Sequence, residues 1–266
     1  MATTGAADFT TFDLPGGHVP DTGPITEAER AVRRDLAAAY RLCALFGWDD
    51  LIYTHISARV PGPGHHFLVN PLGLGFDEIT ASSLVKIDMA GNVIGDSPYR
   101  PNAAGFVIHG AIHGSRADAG CVMHLHTEAG MALSILEEGL LPLTQHAMRF
   151  HGRIGCHDYE GIALTMDEQR RFIADLGENA ALILRNHGTL TVGRSVGHAF
   201  TEMFYLDKAA RTQLMAQATG RPLRVPGADI VELTVQQWLD DLGVSGDREW
   251  PSLIRKLDRT DPGYKD

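Results

Sequence analysis

The segment Cys121-Val122-Met123-His124-Leu125-His126 constrains this chain more than any other stretch. It is apolar enough to be a buried strand, and residues two apart in a strand share a face. His124 and His126 therefore stand side by side while Leu125 turns into the core. Thr127 ends the strand and starts a helix. A second apolar strand, ALILRNHG over 181–188, ends at a histidine, and Gly188 beside it permits close backbone approach. Two such strand ends converging would gather His124, His126 and His187 with coordination positions left open, the general form of a catalytic metal site. H-x-H is a weak signal by itself, so the pattern alone weighs equally for hydrogen-bonded core histidines.

The 266 residues suffice for one large α/β domain or two small ones, without disulfide staples. A formal charge of -10 argues against nucleic acid or an anionic membrane as a general partner. A small anionic substrate stays admissible, because a bound cation reverses the local field. Cys43, Cys121 and Cys156 are far apart and in no CxxC-like spacing, as expected of reduced thiols in the cytosol. The N-terminus lacks the basic and apolar regions of a secretory signal, and no run approaches the ~20 apolar residues of a membrane span. A soluble, cytoplasmic protein is expected.

Along the chain, residues 1–24 read as an unpacked arm, 25–221 as one domain and 222–266 as a helical C-terminal extension. Thr26-Glu27-Ala28-Glu29 has the form of a capping box, and Val32, Leu36, Tyr40 and Cys43 recur at helical spacing up to about Phe46. LIYTHISARV (51–60) alternates as a strand with Ile52, Ile56 and Val60 opposite Tyr53, His55 and Ser57. A second strand is expected near His66–Asn70, a short helix around Thr80–Leu84, and a hairpin from VKID and NVIG. Asn102 is the expected cap of a helix running to Arg116, and Thr165 opens another. Short strands are expected near HDYEGIAL, and a long helix from Ser195 to Ala218. Trp238 and Leu242 share a face of the tail.

The ordered set DLIYTHISARV, NPLGLGFDEITASSLVKID, AGFVIHGAIH, CVMHLHTEAG, CHDYEGIAL and LILRNHGTLTVG, spread over residues 30–220, resembles the class II aldolase/adducin head family. The resemblance implies an α/β fold, a three-layer α/β/α sandwich around a mixed, largely antiparallel sheet. It further implies a homo-oligomer, by analogy a tetramer, with active sites at subunit interfaces and one divalent metal ion per subunit. His124, His126 and His187 match that family's metal-binding histidines; Zn, Mn, Fe and Co are not distinguished.

This chain departs from the sugar-phosphate aldolases at the glutamate that serves them as acid/base. Counting back from His109, the matching position is Gly105, with Ala103 and Ala104 in place of phosphate-binding serines. Without those donors a phosphate dianion is poorly held, and without the carboxylate a retro-aldol cleavage lacks its proton acceptor. Decarboxylation survives the loss, because departing CO₂ itself leaves the carbanion. The expected function is therefore a metal-dependent carbon–carbon lyase, a decarboxylase or aldolase-like enzyme, on a non-phosphorylated hydroxy or keto acid that can be aromatic. His146, near an interface tyrosine of the aldolases, and Tyr159 are expected proton donors, and Glu128 at the next helix start is an alternative acid/base. His55, Gly73 and Arg185 are expected to contact substrate, Arg185 equally well being a structural ion pair. His109 and His113 are read as packed, hydrogen-bonded residues. Two alternatives stand beside the lyase: a three-histidine non-haem Fe(II) oxygenase of an arylpyruvate-type acid, and a non-catalytic interaction module like the adducin head.

Overall fold

A computed structural model describes residues 17–266 except 22, 102, 162–165 and 242. The expected caps Asn102 and Thr165, and Leu242, lie outside the described residues. The elements in chain order are β1 (His18–Val19), α1 (Glu27–Phe46), β2 (His55–Arg59), β3 (Phe67–Val69), β4 (Val85–Ile87), β5 (Val93–Ile94), α2 (Ala103–Ser115) and β6 (Cys121–Leu125). They continue with α3 (Glu128–Ser134), α4 (Gln145–Met148), β7 (Ile154–His157), α5 (Met166–Leu176), β8 (Ala181–Leu184), β9 (Gly188–Gly193), α6 (Val196–Gln217), α7 (Ala228–Asp241) and α8 (Trp250–Thr260).

Among the described residues nine strands form one sheet in the order β1-β5-β4-β3-β2-β6-β9-β8-β7. Only the two edge pairs, β1 with β5 and β7 with β8, are parallel, so the sheet is mixed and largely antiparallel. Alternation along β6 assigns the two layers. Cys121, Met123 and Leu125 pack with Leu36 and Tyr40 of α1, Phe200 and Met203 of α6 and Leu257 of α8. Val122 faces the other way, against Ile108 and Ile112 of α2 and Phe172 and Leu176 of α5. Each fully buried side chain of this size contributes about 1.5–3 kcal/mol of burial free energy. This is the expected three-layer α/β/α sandwich, and His124 faces its α2 side.

Local chemistry accounts for where the elements start and where the sequence reading fails. Thr26 accepts a hydrogen bond from the Glu29 amide at 3.1 Å, which starts α1. The Glu29 carboxylate, however, turns to Arg33 at 2.9 Å and Lys86 at 3.1 Å, so the reciprocal half of the capping box is spent on an ion pair. The helix expected around Thr80–Leu84 is replaced by a single 3₁₀ turn at Phe76–Glu78 and a hydrogen-bonded turn. There the Thr80 amide donates to Ser83 Oγ at 2.9 Å and the Ser83 amide to Thr80 Oγ1 at 3.2 Å, local bonds that compete with a helix.

Both ends of the described chain are tied to the sandwich. β1 adds to the sheet edge, with the Val93 amide donating to the Gly17 carbonyl at 2.9 Å and Asp21 paired to Lys86. At the other end Tyr264 is 2% exposed within the α1 core, and the Ala81 amide donates to its carbonyl at 2.9 Å.

Candidate metal centre

β6 delivers His124 on its last turn of alternation and His126 one residue beyond its end, as the H-x-H spacing requires. The strand expected to run through 188 stops at Leu184, and Arg185–His187 form a three-residue hairpin turn to β9 with Asn186 at φ 55°. His187 is therefore a turn residue, held by its amide to the Leu184 carbonyl at 3.0 Å. Gly188 is what lets this hairpin reach the end of β6: a Cβ there would sit 2.6 Å from the Leu125 carbonyl oxygen and 3.1 Å from the His126 ring.

The three rings converge. Their centroids are 4.8 Å apart for His124–His126 and 4.7 Å apart for each of them to His187. One nitrogen from each lies within 4.8 Å of the other two. Two outer contacts fix which nitrogen points inward. His124 Nδ1 is 3.1 Å from the Thr189 carbonyl, an atom that only accepts, so that nitrogen carries the proton. His126 Nδ1 likewise donates to the Asp50 carboxylate at 2.9 Å. Both Nε2 atoms are then lone pairs, and they face each other at 3.1 Å. Two lone pairs at that distance with no proton between them repel. Protonating His124 is opposed, since burial, followed by the neighbouring His187, holds it well below the ordinary imidazole pKa. Burial and His126 bring His187 down to about 4. Three imidazoles converging in this way fit a divalent ion, with carbonyl and carboxylate partners behind two of them as such ligands have.

Asp50 is presented by an unusual turn. The Tyr53 amide donates back to the Asp50 carbonyl at 2.8 Å, and Leu51 and Thr54 adopt φ of 53° and 64°. Left-handed backbone at non-glycine residues costs about 1–3 kcal/mol each and persists where the surroundings impose it. Thr54 Oγ1 and Asn70 Nδ2, both buried, have no partner among the described residues.

The other expected site residues separate into two groups. His55 is brought to the triad: its ring centroid lies 5.2 Å from that of His124, and β2 pairs it in register with His124 on β6. Tyr159 stands beside His187 at 6.3 Å between centroids and is 53% exposed. In contrast, His146 stacks on Tyr205 of α6 at 5.0 Å. Arg185 donates to the carbonyls of Leu136 and Glu137, which ties the hairpin turn to the segment that follows α3. Glu128 is exposed on the first turn of α3, whose cap is Thr127. Gly73 lies in a turn after Asn70 at φ 98°. His109 and His113 of α2 are buried and hydrogen-bonded, both to Ser57 of β2. Gly105 lies against the His55 ring, where an added Cβ would be 3.0 Å from its Cγ.

A three-layer α/β/α sandwich with an inward-facing histidine triad where two neighbouring strands end defines the class of fold and site. The match to a family model then gives the group: residues 34–214 fit the Class II Aldolase and Adducin N-terminal domain, and the chain belongs to that family. A Caulobacter vibrioides protein that carries the provisional name of an aldolase class 2 protein is 53% identical over 246 residues, 92% of this chain and 95% of its own. Rat alpha-adducin is 43% identical over 210 residues, which make up 78% of this chain but 28% of that protein. Among solved structures, an L-fuculose 1-phosphate aldolase of Glaciozyma antarctica PI12 superposes with a TM-score of 0.78 at 29% identity, over 92% of this chain and 97% of its own. Among the described residues no helix is long and apolar enough to cross a membrane.

Asp50, Thr189 and Ser57 are the residues that sequence reasoning missed. Asp50 reaches His126 across 76 positions and Thr189 reaches His124 across 65, so no local pattern announces either.

Proposed function

We propose that this chain is a metal-dependent carbon–carbon lyase acting on a small, non-phosphorylated hydroxy or keto acid, with aromatic acids in that class. The observation that carries the reading is the pair of opposed Nε2 lone pairs of His124 and His126, 3.1 Å apart, completed by His187. These three residues would hold one divalent ion, which when bound polarises a substrate oxygen and stabilises enolate-like charge. Gly105 places no carboxylate by the site, which favours bond cleavage that needs no base. In decarboxylation the bond to the carboxyl carbon breaks, its electron pair stays on the substrate carbon, and CO₂ leaves. Tyr159, next to His187 and open to solvent, is suited to give that carbon a proton from its phenol and regain one from water. The chain acts as a homo-oligomer, by analogy a tetramer, in which His146 of one copy would serve a neighbour's site.

The test is to purify the protein, measure metal per subunit, and follow CO₂ release from hydroxy and keto acids, dihydroxylated aromatic acids included. Metal-dependent release without oxygen consumption is expected. Stoichiometric oxygen uptake by iron-loaded protein would overturn it in favour of an oxygenase. The identity to alpha-adducin supports a second reading, a non-catalytic interaction module; protein that binds no divalent metal and turns over no acid would establish it.

A further inference from the structure

Behind the triad runs a second set of buried histidines whose protons can be placed one after another. His113 Nδ1 lies 3.0 Å from the Ala119 carbonyl, which only accepts, so His113 donates there and its Nε2 is a lone pair. Ser57 Oγ, 2.8 Å from that Nε2, must spend its single proton on it. The same hydroxyl can then only accept from His109 Nδ1, at 2.7 Å, which leaves His109 Nε2 as a lone pair. His55 Nδ1, 2.9 Å from His109 Nε2, therefore donates. The last atom of the sequence, His55 Nε2, is left as an acceptor. Each inference needs neutral rings, and burial favours them: His55, His109 and His113 are all buried, and the partners they share are a hydroxyl, a carbonyl and one another, with no carboxylate among them.

This order has one end on a backbone carbonyl and the other beside the triad. His55 stands beside His124, 5.2 Å between ring centroids, on the strand paired to β6. Its ring occupies the space that a side chain at position 105 would need, since a Cβ there would meet Cγ, Cβ and Cδ2 of His55 at 3.0, 3.3 and 3.4 Å. A glycine at 105 and an imidazole at 55 are thus one packing arrangement.

We infer that His55 is a substrate-contacting residue whose Nε2 accepts a hydrogen bond, and that it selects a ligand presenting a hydroxyl where a phosphate would be refused. A phosphate dianion offers only acceptors, so against a fixed lone pair it gains nothing and meets repulsion. An alcohol or enol donates into the same atom. His109, Ser57 and His113 are positioning residues that hold the tautomer. The inference deepens the lyase reading and rests on it only for the identity of the site.

Histidine ¹⁵N spectroscopy of the full zinc-loaded chain tests it directly. Pyridine-type Nε2 and pyrrole-type Nδ1 signals are expected for His55, His109 and His113; a pyrrole-type Nε2 at His55 would overturn the inference. Glycolate titrated into the same sample should move the His55 Nε2 signal and bind at least about tenfold tighter than 2-phosphoglycolate, the size of one buried hydrogen bond. Equal or tighter binding of 2-phosphoglycolate counts against it. Ser57→Ala should mix the His55 tautomers and Ser57→Thr restore them, and an unchanged His55 in Ser57→Ala would remove the positioning role. A chain that turned over no acid yet kept the tautomer and the glycolate preference would refute the lyase and leave this inference standing.

Discussion

At the end of β6, His124 and His126 each have Nδ1 tied to an oxygen that only accepts, and their Nε2 atoms meet head on at 3.1 Å. One strand away, His55, His109 and His113 also begin from an oxygen that only accepts, the Ala119 carbonyl, but pass hydrogen bonds from ring to ring through Ser57. The residue type is shared, and so is the density of rings. What differs is how many anchors each cluster has. Two anchored rings facing each other leave two lone pairs that a cation would satisfy. One anchor serving three rings leaves every donor matched to an acceptor, with a single lone pair at the far end. Histidine clusters of similar density are thus suited to an ion in one case and to an oriented acceptor in the other.

The largest expected effect breaks the first cluster. His187→Ala should weaken divalent metal binding by roughly a thousandfold, about 4 kcal/mol, in competition with a chromophoric chelator. The Ser57 cluster should keep its ¹⁵N signature. If metal affinity fell by less than tenfold, the triad would not be the metal's principal site.

Acid should dismantle both clusters in the metal-free chain. His113 has its pKa brought down to about 3 by burial, and His187 to about 4, while unfolded histidine titrates near 6.5. Between those values the unfolded chain binds the proton and the folded one does not. Their stabilising contribution is therefore complete above pH 6.5 and lost as pH falls through that window. Each ring costs about 1.4 kcal/mol per pH unit there. Denaturant midpoints measured from pH 7 to 4 should fall with a slope of more than one proton; a flat profile would mean the rings are not buried and neutral.

Asp50→Asn separates an anchor from the ion site. Removing a carboxylate behind a ligating imidazole lowers metal affinity by 10–100-fold in general. About tenfold is expected here, because the Asp50 side chain is 45% exposed and water screens it. Ser57→Ala does the reverse. It leaves His113 Nε2 and His109 Nδ1 without their partner, at a cost of about 1–3 kcal/mol in unfolding free energy, while metal affinity should stay within about threefold. Loss of metal binding in Ser57→Ala would show that the two clusters are one.

The sandwich was legible through the ordered motifs that resemble the class II aldolase/adducin head family, and the pairing of His124 with His126 through periodicity that is local. Alternation in CVMHLH fixes which histidines share a face, and the glycine after His187 marks a close approach that the Leu125 carbonyl indeed requires. The turn at Arg185–His187 was not legible, since an apolar run shows no difference between a strand's end and a hairpin with Asn186 in the left-handed region. Nor were Asp50 and Ser57, whose partners lie 76 and 52–56 residues away. His109 and His113 read only as one helix face, because their order of donors and acceptors depends on β2 packing against α2. The expected helix at Thr80–Leu84 failed for a different reason: its hydroxyls bind their own backbone.

The smallest predicted effect is the sharpest test of the packing of His55. Glycine to alanine inside a helix is ordinarily stabilising by up to about 1 kcal/mol. α2 offers two such positions that differ in what a methyl group would meet. At Gly110 an added Cβ finds the Phe106 ring at 3.5 Å, ordinary contact, so Gly110→Ala should raise the melting temperature. At Gly105 it finds the His55 ring at 3.0 Å. That ring cannot retreat, since its Nδ1 is bonded to His109 at 2.9 Å and its strand is paired to β3 on one side and β6 on the other. Gly105→Ala should therefore forfeit the helical gain, melt at or below the parent temperature, and shift the His55 ¹⁵N signals, which Gly110→Ala leaves in place. Equal stabilisation by both alanines, with His55 undisturbed, would show that the space beside position 105 is open and that the glycine there is not what admits the imidazole.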